Sequence, residues 1–130
     1  ASLFIANRSA GKAEALAASF ADMATVNAGN FAKTEDMTFD LVINATSASL
    51  SGDALPLPNG IFAEGSVAYD MMYGQSETPF LAQAREQGVV QRADGLGMLV
   101  EQAAEAFFVW RGVRPATRRV LADLRSKLAQ

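Results

Sequence analysis

The chain has no cysteine and no histidine. Without cysteine there can be no disulfide, and the redox compartment leaves no trace in the sequence; a cytoplasmic location is expected. The two absences together exclude Ser-His-Asp and Cys-His nucleophilic machinery and nearly every zinc site, so no metal is expected. Long apolar runs are missing as well. None approaches the ~20 residues of a membrane span, and no signal peptide is visible, so no membrane partner is expected. Nor is positive charge in excess. Eleven Lys and Arg against 14 Asp and Glu leave a formal net charge of −3, which offers no general attraction to nucleic acid. Arg114, Arg118, Arg119, Arg125 and Lys127 do gather near the C-terminus, but Asp123 interrupts them, and they read as a solvated helix face. What remains is a 130-residue chain, half of it hydrophobic. That is enough for one domain burying roughly two-thirds of its unfolded surface.

Strand and helix signals alternate. Leu3 to Ala6 reads as a strand, Ala10 to about Asp22 as a helix, and Thr25-Val26-Asn27 as a short strand before polar connecting chain to Asp40. Leu41 to Thr46 is an apolar run with a polar end, the pattern of a buried parallel strand. Ser47 to Gly65, with Pro56 and Pro58, reads as loop with one helical turn near Gly60. Val67 to Met71 is another strand. Thr78 caps a helix with Pro79 at its first position, running to about Gln87 and ending at Gly88. Val89-Val90-Gln91 reads as a last short strand, Leu96 to Arg111 as a long helix stopped by Gly112, and the chain after Pro115 as a final helix. Such alternation argues for a doubly wound, mostly parallel α/β sheet, in which ligands collect outside the carboxyl ends of the strands. The residues at those ends are Asn7, Thr46, Tyr73 and Asp94-Gly95.

The first strand end is the most informative. Ser9 is a good N-cap for the helix from Ala10, yet its first turn carries Lys12 where an acid would suit the helix dipole. Arg8 and Lys12 repel that local field unless an anion lies between them, which makes Asn7-Arg8-Ser9-x-x-Lys12 a candidate phosphate site. In dinucleotide-binding folds an acid at the second strand's end bonds the ribose 2′-OH of NAD, whereas an Arg there accommodates the 2′-phosphate of NADP. No Asp or Glu lies between Ser2 and Lys12, so charge favours NADP. Ser-x-x-Lys also opens penicillin-recognising acyl-enzymes, but their Ser-Asp-Asn and Lys-Thr-Gly elements are absent.

Other candidates have bland readings beside them. Gly95-Leu96-Gly97 mimics a dinucleotide fingerprint, but Val100 fills its third small position, and a glycine-assisted turn serves equally. Thr46 and Ser47 could cap the following turn, and for Ser47 that reading is preferred to a functional one. Asp70 and Tyr73 could be turn residues, Gln102 a surface residue, and Met71 and Met98 core.

Read together, Asn44-Ala45-Thr46-Ser47, Tyr69-Asp70-Met71-Met72-Tyr73, Thr78-Pro79-Phe80-Leu81 and the run from Asp94 to Ala104 resemble shikimate dehydrogenase. The likeness continues through Phe107, Trp110 and Gly112 and includes Asn7-Arg8-Ser9. It implies a partial Rossmann-like NADP-binding domain over residues 1–130, lacking its first strand and glycine-rich loop and ending in two helices. From about residue 94 onward these would contact a substrate domain. The implied reaction is reduction of 3-dehydroshikimate to shikimate with NADPH, on the route to chorismate and the aromatic amino acids. The resemblance implies that Asn7, Arg8 and Ser9 hold the adenosine 2′-phosphate, with Lys12 as a second cation. It places Thr46 on the adenosine side, Met71, Gly95 and Met98 around the nicotinamide, and Tyr73 and Gln102 at the substrate hydroxyls. The family's catalytic Lys and Asp have no counterpart here, so no catalytic residue is assigned and the isolated chain is expected to be inactive. A central strand's absence would leave two neighbours with unpaired backbone, to be compensated by re-pairing or by self-association through strand edges. The alternatives are a non-catalytic nucleotide-binding module and an NAD-dependent quinate/shikimate enzyme.

Overall fold

A computed structural model describes residues 2–48 and 52–129; residues 49–51, within the expected loop, lie outside the described residues, as do both terminal residues. The elements run β1 (Leu3–Ala6), α1 (Ala10–Ala18), β2 (Val26–Gly29), a 3-10 turn (Phe31–Thr34), β3 (Phe39–Asn44), β4 (Phe62–Asp70), α2 (Pro79–Glu86), β5 (Gln91–Ala93), α3 (Leu96–Arg111) and α4 (Thr117–Leu128). Strands β1 and β2 are parallel and joined through α1; β4 and β5 are parallel and joined through α2. These are two strand–helix–strand crossovers, the building unit of the doubly wound α/β fold expected from the sequence.

The described strands form two sheets, β1-β2 and β3-β4-β5. Strand β1 is bonded to β2 and β3 to β4, so the expected re-pairing, of β1 with β3, does not occur among the described residues. Contacts group the chain into two compact units, one of Ala1–Phe39 with Pro56–Ala63 and one of Asp40–Leu55 with Glu64–Gln130.

The first unit has a thin core. Ala13 and Ala17, one turn apart on α1, are buried, and the α1 helix lies against β1 and β2. Their methyl groups allow a close approach but bury little area. Helix α1 ends at Ala18, short of the expected Asp22, because the Ser19 hydroxyl takes the Leu16 carbonyl and the next amides turn back three residues. The second unit has the larger core, with Ala68 of β4, Phe80, Leu81 and Ala84 of α2, and Leu96, Val100 and Ala104 of α3. Thr78 caps α2 as expected, its hydroxyl accepting from the Leu81 amide. Gly112 ends α3 at φ 70°, a left-handed conformation that suits glycine, and its amide bonds the Phe108 carbonyl.

Four expectations need correction. Strand β4 starts at Phe62, not Val67, and Gly60 forms a turn with no helix. Strand β5 starts at Gln91 because the Val89 amide closes α2 by bonding the Ala84 carbonyl. Strand β3 is not fully buried: Leu41 is 52% and Ile43 54% exposed. Alternate residues share a face of a strand, and that face of β3, an edge strand, is left open.

Candidate functional site

In the first unit the site is the turn from β1 into α1. The Asn7 amide extends the β1–β2 ladder by donating to the Gly29 carbonyl, and its side-chain Oδ1 accepts from the Ser9 amide at 3.1 Å. This Asx-type bond bends the chain so that Ser9 reaches the N-cap. Ser9 stands there in an extended conformation but makes no side-chain cap bond, contrary to expectation, because Asn7 already organises the turn. The Ser9 hydroxyl is therefore not committed to the helix. The first turn of α1 holds no acid. Arg8, Ser9 and Lys12 are exposed, and among the described residues neither Arg8 nor Lys12 has an ion-pair partner. Lys33 of the same unit, by contrast, reaches Glu14 at 3.7 Å. Two unpaired cations at the positive end of a helix dipole are an arrangement that an anion stabilises.

In the second unit the site is built from strand ends. Asn44 closes β3 and Asp70 closes β4, and both are buried. Asn44 Nδ2 donates to Asp70 Oδ1 at 3.1 Å, and the Asn44 carbonyl accepts from the Met71 amide. Thr46 is folded onto Asn44: its amide and its hydroxyl both donate to Asn44 Oδ1, at 3.0 and 2.8 Å. The Thr46 hydroxyl also accepts from the Ala48 amide, at 3.3 Å, a bond within the turn that follows β3. After β4, Met71 is 38% exposed and Tyr73 41%; Met98 on α3 is 37% exposed, and Gln102 is exposed. The default placement of the two methionines in the core does not hold, since each is more than a third exposed. Gly95, Met98 and Gln102 follow i, i+3, i+7 spacing and lie on one face of α3.

Gly95 shows why a glycine stands there. A methyl group on its Cα would lie 2.0 Å from the Met71 carbonyl oxygen, and its amide donates to the Met72 carbonyl. The start of α3 is thus seated against the turn after β4. A methyl group on Gly97 meets nothing within 4 Å. Of the two glycines in the mimicked fingerprint, one is sterically required.

Sequence reasoning missed a second constraint on α3. Asp94 accepts from the Leu96 amide and forms a two-bond ion pair with Arg125 of α4, at 2.5 and 2.6 Å. Arg114 similarly pairs with Glu101 and Glu105, so two residues of the basic C-terminal stretch are engaged rather than merely solvated. Asp94 and Arg125 also border a cleft of about 490 Å³ with Thr78, Arg92 and Gly97. Met71, Tyr73, Gly95, Met98 and Gln102 lie outside that cleft. The Arg125 guanidinium hydrogen-bonded to Asp94 holds its carboxyl below the ordinary aspartate value, although partial burial opposes this. A depressed carboxyl contributes stability above its unfolded pKa and loses it as pH falls through the folded value. Thermal melts of the wild type and Asp94→Asn should therefore differ at neutral pH and converge below about pH 4. A constant difference down to pH 2 would contradict this role.

Parallel strand–helix–strand crossovers, with polar residues and a seated glycine at the strand ends, define a Rossmann-like α/β class. The comparisons are more specific. A family profile described as Shikimate 5'-dehydrogenase C-terminal domain matches residues 95–125. Shikimate dehydrogenase (NADP(+)) of Dechloromonas aromatica is 73% identical over 128 residues, covering 98% of this chain and 47% of that protein. An Ael1 enzyme from Pseudomonas putida superposes with a TM-score of 0.84 at 51% identity, over 95% of this chain and 45% of the other. Shikimate 5-dehydrogenase from Thermus thermophilus, solved in complex with NADP(H) and shikimate, gives 0.77 at 32% identity over 96% and 46%. The resemblance to shikimate dehydrogenase read from the motifs therefore holds along the chain. The chain spans about half the length of the curated relatives it matches.

Proposed function

We propose that this chain is the NADP-binding half of a shikimate dehydrogenase, an oxidoreductase that reduces 3-dehydroshikimate to shikimate. The observation that carries the reading is the acid-free start of α1, where Arg8 and Lys12 have no ion-pair partner among the described residues. An extra phosphate suits such a site, and a bare ribose hydroxyl gains nothing from two cations. Arg8 would bond the 2′-phosphate through its planar fork, with Asn7 and Ser9 offering side-chain donors and Lys12 a second charge. When bound, the coenzyme supplies the hydride. Thr46 would line its adenosine side, and Met71, Gly95 and Met98 its nicotinamide. Tyr73 and Gln102 would bond the substrate hydroxyls from the coenzyme side. The exposed apolar residues of α3, among them Phe107, Val109 and Trp110, would face a substrate domain.

Calorimetric titration of the chain tests the coenzyme assignment. NADP+ should bind more tightly than NAD+, and Arg8→Ala should weaken NADP+ by about ten- to a hundredfold, the worth of a charge-assisted hydrogen bond. NAD+ should change by less than about twofold, since no phosphate contact is lost. Equal losses for both would contradict the placement of Arg8. In a steady-state assay the 130 residues alone should show no turnover of shikimate; rates near those of a normal dehydrogenase would overturn that expectation.

A further inference from the structure

We infer that Asp70 is the positioning residue of the nicotinamide end, a single buried carboxylate tying the turns after β3 and β4 to the starts of α2 and α3. The inference rests on the proposed assignment of Met71, Gly95 and Met98 to the nicotinamide. Asp70 is 0% exposed, Asn44 2% and Thr78 8%. Asp70 Oδ1 accepts from Asn44 Nδ2 at 3.1 Å and from the Met72 amide at 3.0 Å, while Oδ2 accepts from the Thr78 hydroxyl at 2.6 Å.

Each bond fixes a different segment. Held by Asp70, the Asn44 amide group presents its Oδ1 to the amide and hydroxyl of Thr46, which sets the turn after β3. The Met72 amide, held by the same oxygen, bends the chain after β4 so that the Met72 carbonyl receives the Gly95 amide at 3.0 Å. That bond brings Gly95 against the Met71 carbonyl. The Thr78 hydroxyl, oriented by donating to Oδ2, accepts from the Leu81 amide and starts α2. Three candidate positions, Thr46, Met71 and Gly95, thus take their places from one side chain that would itself touch no coenzyme. The low local dielectric makes these bonds strong and leaves any unpaired partner costly, so the segments move as a set.

Amide hydrogen exchange on the chain reads this directly. Asp70→Ala removes both acceptor oxygens and with them the three bonds. Asp70→Asn keeps Oδ1 for Asn44 and Met72 but turns an NH2 toward the Thr78 hydroxyl, a conservative partial rescue. The amides of Thr46, Met72 and Gly95 should exchange faster together, by about tenfold or more in Asp70→Ala and by less in Asp70→Asn. The Ala104 amide in the middle of α3 should not change. A rise at Ala104 equal to that at Gly95 would make Asp70 merely structural, and unchanged Gly95 exchange would remove the coupling. If the alanine variant does not fold, the same comparison between wild type and Asp70→Asn decides.

Binding provides the second readout. Asp70→Asn should weaken NADP+ several-fold more than 2′-phosphoadenosine 5′-diphosphoribose, which lacks the nicotinamide and meets only Thr46 of the residues Asp70 sets. Equal weakening of both overturns positioning at the nicotinamide end. Should the wild type itself bind the two nucleotides equally, the nicotinamide assignment fails, while the exchange result still judges Asp70 independently.

Discussion

Gly95→Ala is expected to unseat the start of α3 and to abolish the nicotinamide contribution to NADP+ binding. The added methyl carbon would stand 2.0 Å from the Met71 carbonyl oxygen, 2.6 Å from its carbon and 3.2 Å from its Cα. All three are backbone atoms, so no rotamer change relieves the clash. Either the end of β4 retreats or the helix start lifts, and the bond from the Gly95 amide to the Met72 carbonyl is lost both ways. Overpacking of this kind costs about 1–3 kcal/mol and sometimes more. Gly97→Ala is the matched control, because a methyl group there meets nothing within 4 Å. Inside a helix that exchange should be neutral or stabilise by up to about 1 kcal/mol. Denaturant melts and NADP+ titrations of both variants check the pair. A Gly95→Ala protein as stable and as tight-binding as wild type would show that the close approach is not the reason for the glycine.

Phe80→Ala should have the largest effect on stability. Phe80 sits on the first turn of α2 and is 1% exposed, among Ala68, Ala84 and Leu96 in the core of the second unit. Deleting a buried phenyl ring removes its transfer free energy and leaves a cavity, about 3–5 kcal/mol in all. Small proteins are stable by only about 5–15 kcal/mol, so urea melts should show a marginally folded chain. Phe80→Leu, which refills most of the volume, should recover much of the loss. A cost under about 1 kcal/mol for the alanine variant would mean that Phe80 is not central to this core.

Helices were more legible in the sequence than strands. Thr78-Pro79 and Gly112 mark the start of α2 and the end of α3 where they were read, because a cap acts on backbone groups a few residues away. Strand boundaries moved. Val89 and Val90 look like a strand pair, but Val89 is buried while its amide closes α2, and Val90 is 87% exposed; the ladder to Val67 begins only at Gln91. Gly60 and Gly65 gave the stretch after Leu57 the look of a loop, although β4 runs through Gly65 at φ 73°. Of the candidate site, the charge pattern of Asn7, Arg8, Ser9 and Lys12 could be read directly. Asp70 could not: at the end of an apolar strand it looks like any turn residue, and only its burial against Asn44 and Thr78 sets it apart.

The amino-acid sequence alone settled what depends on near neighbours: an acid-free, doubly cationic helix start, the helix caps, the alternation of elements and the motifs shared with shikimate dehydrogenases. Tertiary structure decided which distant groups meet. Asn44 and Asp70 are 26 residues apart and Asp94 and Arg125 are 31 apart, yet each pair shares a hydrogen bond. Gly95 is required only because the Met71 carbonyl arrives beside it. Local preference acts through a few backbone bonds and leaves its mark on the string of residues. A polar side chain gains its meaning from the partner that folding brings and from the water it excludes, and neither is written at its own position.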